Sequence, residues 1–308
     1  MDIISHGLAG ALIAKSGFSQ RIGPSATALG VISAVFPDVD FIASAFGPWA
    51  SLKAHRGITH SFFGLILEAL FLAFLFRTFG SYKRFLPLFA LAFLGVSSHI
   101  SFDLMTSFGT QILQPFSAER YALDWIFILD PFFTGSILIA LTLGWLLPSR
   151  GRVFARAGLI VLVGYIALLA INHQVALGSF REALEERSIS YQRVAAMPRP
   201  LGPFRWSGFA LDDGGVYRAW FSTLKKEPIM LERFKSSPPN RYVLAARNLE
   251  EVRIYRWFAR FPIETYEERE GRHVVEYSDL RFSGIGGRNL FNLRVVMDDG
   301  GRVVRVEF

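Results

Sequence analysis

The sequence predicts an α-helical integral membrane domain, with about four spanning helices plus two short N-terminal helices, followed by a soluble α+β domain. Three observations predict it. Of the 308 residues, 51% are hydrophobic, and the mean hydropathy of +0.33 is high for an ordinary soluble protein. Nearly all the long apolar runs fall within residues 1–172. Beyond them, apolar and polar residues alternate in short stretches separated by turn residues, the pattern of paired strands.

Taken in order, two short runs come first, "IISHGLAGALIA" at 3–14 and "SATALGVISAVF" at 25–36. Both are rich in Gly, Ala and Ser, which suits close helix packing better than lipid contact. Segment 1–14 lacks a basic start and carries Asp2 and His6. It is a poor signal peptide and is expected to stay in the mature protein. Four longer runs follow at about 61–76, 85–98 extending to Met105, 126–147 and 154–171. Each can approach the ~20 residues needed to cross a bilayer, with some tilt or shortening.

The second domain, 173–308, opens with an amphipathic piece, "QVALGSFREALEERS". It leads into "MPRPLGPFRW", whose three prolines exclude helix. Three hairpins are expected: one turning at Asp213–Gly214, one near Gly271, and one over 289–308 whose "DDGG" turn repeats the first. "LEEVRIYRWFARF", before Pro262, reads as a helix.

Charge and cysteine usage narrow the function. The chain has no Cys, so disulfides, thiolate metal sites and thiol nucleophiles are excluded. The net charge of +7 could suggest nucleic acid, but residues 173–308 hold 22 of the 33 Lys and Arg together with 18 of the 26 acidic residues. Such mixing is that of a solvated surface, so no nucleic-acid partner is expected. The loops 77–84 and 149–156, and the Lys15–Arg21 segment, are basic without acids. The positive-inside rule places them in the cytoplasm. The opposite helix ends, and the C-terminal domain, then face outward from a bacterial inner membrane.

Those outward ends collect an unusual set of side chains. His99 and Asp103 in "SHISFD" are spaced i, i+4 and share a helix face. In "HRGITHS", His55 and His60 fit a loop ligand followed by one at a helix start. Asp38 and Asp40 in "FPDVD" point the same way if that stretch is extended, and His6 lies within the first short helix. Four imidazoles and three carboxylates exceed the four donors of a structural zinc. The surplus suggests two metals, or one metal with added acid–base groups. Nitrogen–oxygen donors without sulfur favour Zn, with Mn or Fe as alternatives, over Ca. Arg56 could hold an anionic oxygen or snorkel at the headgroups, and snorkelling is the better reading of Arg120. Glu68 reads as a buried carboxyl paired with a helix hydroxyl, Asp130 as a helix-start residue, and His173 and His273 as surface residues. The "DDGG" turns lack the other ligands of a calcium loop.

Taken together, "SHGLAG", "FPDVD", "HRGITHS", "SHISFDLMTSFGTQILQPFS" and "LDP" resemble, over about residues 1–172, the family of membrane-bound metal-dependent hydrolases. Some of its members are described as LexA-regulated inner-membrane hydrolases. That family is distantly similar to zinc-dependent phospholipase C. The resemblance implies a ligand role for His6, Asp38, Asp40, His55, His60, His99 and Asp103. It implies a reaction class and no particular substrate.

The expected function is a membrane-embedded metal-dependent hydrolase, with its site at the outer membrane face and one or two divalent ions. A carboxylate not fully used as a ligand, Asp40 or Asp103, would take the proton, and Arg56 would bind the phosphate of a lipid or small-molecule phosphoester. A metal or ion transporter is one rival, although transporters tend to place sites at the midplane within inverted repeats, and no repeat is evident. A non-catalytic membrane scaffold with a structural metal and a protein partner of unknown kind is the other.

Overall fold

A computed structural model describes residues 1–225, 227–283 and 291–308. They form two compact units, Met1–Ala45 with Ala54–Val175 and Met197–Arg205, and Phe46–Lys53 with Ala176–Ala196 and Trp206–Phe308.

The first unit is helical. It contains α1 (Ile3–Ile13), α2 (Ser19–Ile22), α3 (Ser25–Val35), most of the loop and turn structure up to α5, α5 (Phe62–Phe79), α6 (Phe85–Leu104), α7 (Pro131–Leu146) and the first part of α8 (Gly151–Glu185). The short α4 (Pro48–Ala54) belongs mainly to the other unit. A π turn, Ala14–Phe18, joins α1 to α2. Asp2 starts α1 by accepting from Ser5 N at 3.0 Å, and Asp130 starts α7 by accepting from Phe132 N and Phe133 N, each at 2.9 Å, which satisfies amides that an uncapped helix would orphan.

Glycine decides how closely these helices approach. A side chain on Gly10 would run into the Gly30 carbonyl, and one on Gly95 would meet Ser33. The contact therefore brings α1, α3 and α6 together backbone to backbone, as small residues do between membrane helices. Around it sits a core of Leu29, Leu72, Leu88, Leu91 and Val96. A second core joins Leu12, Phe133, Ile137, Leu162 and Leu169. Outward, Phe63, Phe71, Phe74, Leu86, Ile139, Ile160 and Val163 are exposed, an arrangement that lipid rather than water would cover.

Four helical runs are long and apolar enough to span a membrane: Ser25–Phe46, Phe62–Phe79, Phe85–Leu104 and Pro148–Glu185. The number agrees with the sequence, but the set differs. The 25–36 run, expected to be short, continues as a 3-10 helix, Phe36–Phe46. The 126–147 run starts its helix only at Pro131 and has 16 residues, because Asp130 caps it and the preceding residues are irregular. α8 is unbroken over 35 residues, so the amphipathic piece after 172 prolongs the helix.

The second unit contains two four-stranded antiparallel sheets. The first is β1 (Arg193–Pro198), β2 (Arg205–Asp212), β3 (Gly215–Ser222) and β4 (Glu232–Lys235); the second is β5 (Pro262–Arg269), β6 (Arg272–Asp279), β7 (Asn292–Met297) and β8 (Val303–Glu307). Helices α9 (Arg241–Arg247) and α10 (Glu250–Phe258) lie between them in sequence. All three expected turns are present. The second uses Glu270 and Gly271 at positive φ, 50° and 69°, as a tight two-residue hairpin requires. Residues 289 and 290 of the third expected hairpin lie outside the described residues.

The second sheet buries one face by strict alternation. His273, Val275 and Tyr277 pair with Met297, Val295 and Leu293, and this face packs on Tyr242, Val243, Val252 and Tyr255. His273 is therefore buried and not a surface residue. Its Nδ1 lies 2.8 Å from Tyr266 Oη, its Nε2 3.1 Å from Asp299, and its ring stacks on Tyr242 at 3.6 Å. His173, within α8, is likewise buried.

Candidate metal centre

Each ligand candidate sits where a local break or a helix face puts it. Pro37 is buried at the start of the 3-10 helix that follows α3. The tighter turn carries Asp38 and Asp40, so the stretch is helical and not extended as the sequence suggested. The two carboxylates consequently serve different neighbours. Arg56 has a left-handed backbone, φ 59°, a conformation that costs a non-glycine residue ~1 kcal/mol or more. At Gly57 a side chain would strike the Ala54 carbonyl. This turn leads to the 3-10 helix Ile58–His60, after which Ser61 caps α5 by accepting from Gly64 N at 2.9 Å.

Four side chains converge. One ligand atom from each of Asp38, His60, His99 and Asp103 lies within 4.8 Å of the others. His60 Nε2 is 3.0 Å from His99 Nε2, 3.6 Å from Asp38 Oδ1 and 3.3 Å from Asp103 Oδ2. His99 Nε2 is 3.5 Å from Asp38 Oδ1 and 3.6 Å from Asp103 Oδ2. Ligand bonds of ~2.0–2.2 Å in a tetrahedron put neighbouring donors ~3.3–3.6 Å apart. Five spacings thus match the edges of a tetrahedral site, or fall slightly inside them. The residues fit a metal ion.

Hydrogen bonds behind the donors set their orientation. His99 Nδ1 donates to the Ala34 carbonyl at 2.7 Å, which leaves Nε2 as the inward nitrogen. His60 Nδ1 faces Asp40 Oδ2 at 3.2 Å. Imidazoles held from behind by a carbonyl or a carboxylate are the usual support of a metal ligand. Burial disfavours charge on His60, but its bonds to Asp103, Asp38 and Asp40 outweigh this and raise its pKa to about 10. The inward nitrogens of His60 and His99 face each other, and a cation between them would be a ligand to both.

Other predicted residues flank the four. Asp38, Asp40 and His55 form a second group that could hold an ion, with Asp38 common to both. Asp40 is heavily used: Oδ1 lies 3.0 Å from His55 Nδ1, while Oδ2 accepts from Arg56 N at 2.8 Å and from Thr59 Oγ1 at 3.3 Å. His6 stands outside both groups. Its Nε2 is 3.3 Å from the other Asp103 oxygen, and its ring stacks on His99 at 3.7 Å. Arg56 is buried. Its Nε makes an ion pair with Asp103 Oδ2 at 2.9 Å, and its Nη1 donates to Asp103 O at 3.1 Å and to Thr106 Oγ1 at 2.7 Å. It is tied to the ligand set and does not snorkel.

Neighbours that the sequence reading passed over complete the frame. Thr59 and Thr106 serve Asp40 and Arg56, and both stand beside the ligands in "GITHS" and "SFDLMT". Arg120 is no snorkelling residue either. It donates to the Gly109 carbonyl at 3.0 Å and to the His55 carbonyl at 3.3 Å, with Phe108 between it and Arg56. Glu68 is buried, but neither oxygen has a hydrogen-bond partner, so the expected helix hydroxyl does not bind it.

The profile described as YdjM inner membrane protein matches residues 1–176. The chain is 25% identical over 255 residues to "Uncharacterized protein YfhP" of Bacillus subtilis (strain 168), covering 81% of this chain and 75% of that one. No solved structure matches.

Proposed function

The chain belongs to the YdjM inner membrane protein family, and we propose that it is a membrane-embedded metal-dependent hydrolase acting on a phosphoester such as a lipid headgroup. The observation that carries this reading is the set of five donor spacings of 3.0–3.6 Å among Asp38, His60, His99 and Asp103. These four would hold the ion, with zinc the best match to nitrogen–oxygen donors and manganese or iron the alternatives. A divalent ion there supplies a Lewis acid for water and for a phosphoryl oxygen.

The remaining roles belong to the chain. Arg56 lies against Asp103 and fixes that carboxylate in place, so its part is to position a ligand; it has little freedom to bind substrate. Asp40 is used by His55, His60, Thr59 and the Arg56 amide, which makes it a poor proton acceptor. His55 is the better one. Its side chain keeps 18% exposure against 0% for His60 and His99, and Asp40 holds its Nδ1. In hydrolysis the water oxygen bonds to phosphorus, the ester P–O bond breaks, and the water proton passes through His55 to the departing alkoxide. The basic loops support an outward-facing site and C-terminal domain, and a site at headgroup depth suits a lipid substrate. Single cysteines placed near residues 81 and 305, in a chain with no other Cys, test that orientation: an impermeant thiol reagent should reach only the second.

A second reading has its own observation, since Asp38 belongs to both ligand groups. Two ions could share it, with His55 as a ligand of the second. Metal analysis separates the two, one ion per chain for the first and two for the second. The functional test is hydrolysis of phosphatidylglycerol and of a generic phosphodiester by the purified metal-loaded protein. Activity that falls ~10²-fold or more in His55→Gln with metal retained supports the one-ion reading. Metal-loaded protein inert on both substrates would overturn the hydrolase assignment.

A further inference from the structure

Past the kink at Gly17, α2 ends in a different chemistry. Here Ser16, Gly17, Phe18, Arg21, Arg152 and Arg156 line a pocket of about 350 Å³. Three guanidinium groups thus reach one cavity from two elements, the π turn with α2 and the start of α8.

The charge around this pocket is uncompensated. No acidic residue occurs between Asp2 and Asp38, between Glu68 and Asp103, or between Asp130 and Glu182. The stretches 3–37, 69–102 and 131–181 therefore offer it no carboxylate. Among the described residues, none of Arg21, Arg152 and Arg156 forms an ion pair. In the second unit, by contrast, Arg218, Arg233, Arg247 and Arg294 all meet carboxylates.

The pocket is also shaped. The π turn breaks the regular helix at Gly17 and leaves the Ser16 carbonyl to accept from Arg156 Nε at 2.9 Å. That bond fixes one guanidinium plane and leaves its Nη groups as donors. Arginine forks match the paired oxygens of a phosphate.

We propose that Arg21, Arg152 and Arg156 form a binding site for a phosphate monoanion or diester, supplied by an anionic phospholipid headgroup, distinct from the His/Asp cluster. The site is at the end of the bundle where basic loops gather, and a volume of this size accommodates a phosphate with its glycerol. It does not depend on the hydrolase reading.

The test uses the full-length protein, delipidated in detergent, with phosphatidylglycerol, phosphatidylcholine or inorganic phosphate added and bound lipid read by native mass spectrometry. Phosphatidylglycerol should be retained at least ~10-fold better than phosphatidylcholine. R152Q should weaken retention ~5-fold and R21Q/R152Q ~30-fold, at about 1 kcal/mol per arginine. R77Q/K83Q removes the same charge from another loop and should bind as the wild type does; it also serves as the folded comparison if the double variant is unstable, with R152Q carrying the measurement. Displacement of the lipid by excess inorganic phosphate, with the same arginine dependence, keeps the phosphate site and makes the free anion its ligand. Equal retention of the two lipids, or equal losses in R77Q/K83Q and R21Q/R152Q, would overturn it.

Discussion

The two units bury charge in different ways. Among the described residues of the second, buried ionic groups are matched by partners of their own. Arg281 Nη2 meets Asp279 Oδ2 at 2.7 Å with both side chains almost fully buried, and Arg281 also donates to the Phe258 carbonyl at 3.0 Å. Arg247 grips Glu264 through two bonds, 3.1 and 2.8 Å. These pairs are self-sufficient, and little is left for a ligand to satisfy. In the first unit, Asp38, His60, His99 and Asp103 converge, and two ring nitrogens face each other at 3.0 Å. Such an arrangement is costly to bury and makes sense as a place for a cation. The first kind of burial holds a fold together, while the second prepares a site.

The comparison can be broken most severely at His60. His60→Ala removes an inward nitrogen and should weaken metal binding by more than ~100-fold, beyond the 10- to 100-fold typical of losing a residue behind a ligand. Bound metal after dialysis measures this, and retention at the wild-type level would make the cluster an ordinary polar core. The counterpart in the other unit is Arg281→Ala. It leaves Asp279 buried without its partner and should cost ~3–5 kcal/mol on denaturant unfolding, while metal per folded chain stays unchanged. A loss of metal in this variant would dissolve the distinction between the two kinds of burial.

A smaller effect is expected behind the ligands. Asp40→Asn keeps the shape but not the charge that supports His60 and His55. Metal affinity should fall ~10- to 100-fold. A variant that binds metal as the wild type does would show that Asp40 supports neither imidazole. The pH dependence bears on the same imidazole. His60 is protonated below its raised pKa of about 10, so an ion must displace its proton. Affinity should therefore rise with pH by about tenfold per unit through neutrality and flatten near pH 10. A flat profile between pH 6 and 8, from equilibrium titration with zinc, would mean that His60 is already neutral.

The sequence shows some of these relations and hides others for physical reasons. His99 and Asp103 were legible because a helix converts i, i+4 into neighbourhood, and their 3.6 Å spacing bears this out. The hairpin turns were legible because Asp and Gly carry their own backbone preferences. The separate duties of Asp38 and Asp40 were not, since a 3-10 turn replaced the extended stretch that two alternating carboxylates suggested. The contact of His6 with Asp103 spans 97 residues and depends on Gly10, Gly30 and Gly95 letting three helices close up. For His273 the signal was present and misread: in "RHVVEY" it shares the inward face with Val275 and Tyr277. Arg56 read as a phosphate-binding or snorkelling cation because its left-handed turn, which brings the side chain against Asp103, has no marker in the residue itself.

The central claim is that Asp38, His60, His99 and Asp103 together hold a divalent ion. Its most direct test is elemental analysis of the purified full-length protein beside His99→Ala, both confirmed folded by their thermal transitions. At least one equivalent of zinc, manganese or iron per wild-type chain, and less than about a tenth of that in the variant, is the predicted result. A wild-type chain that takes up none of these metals, or a variant that retains them equally, would contradict it.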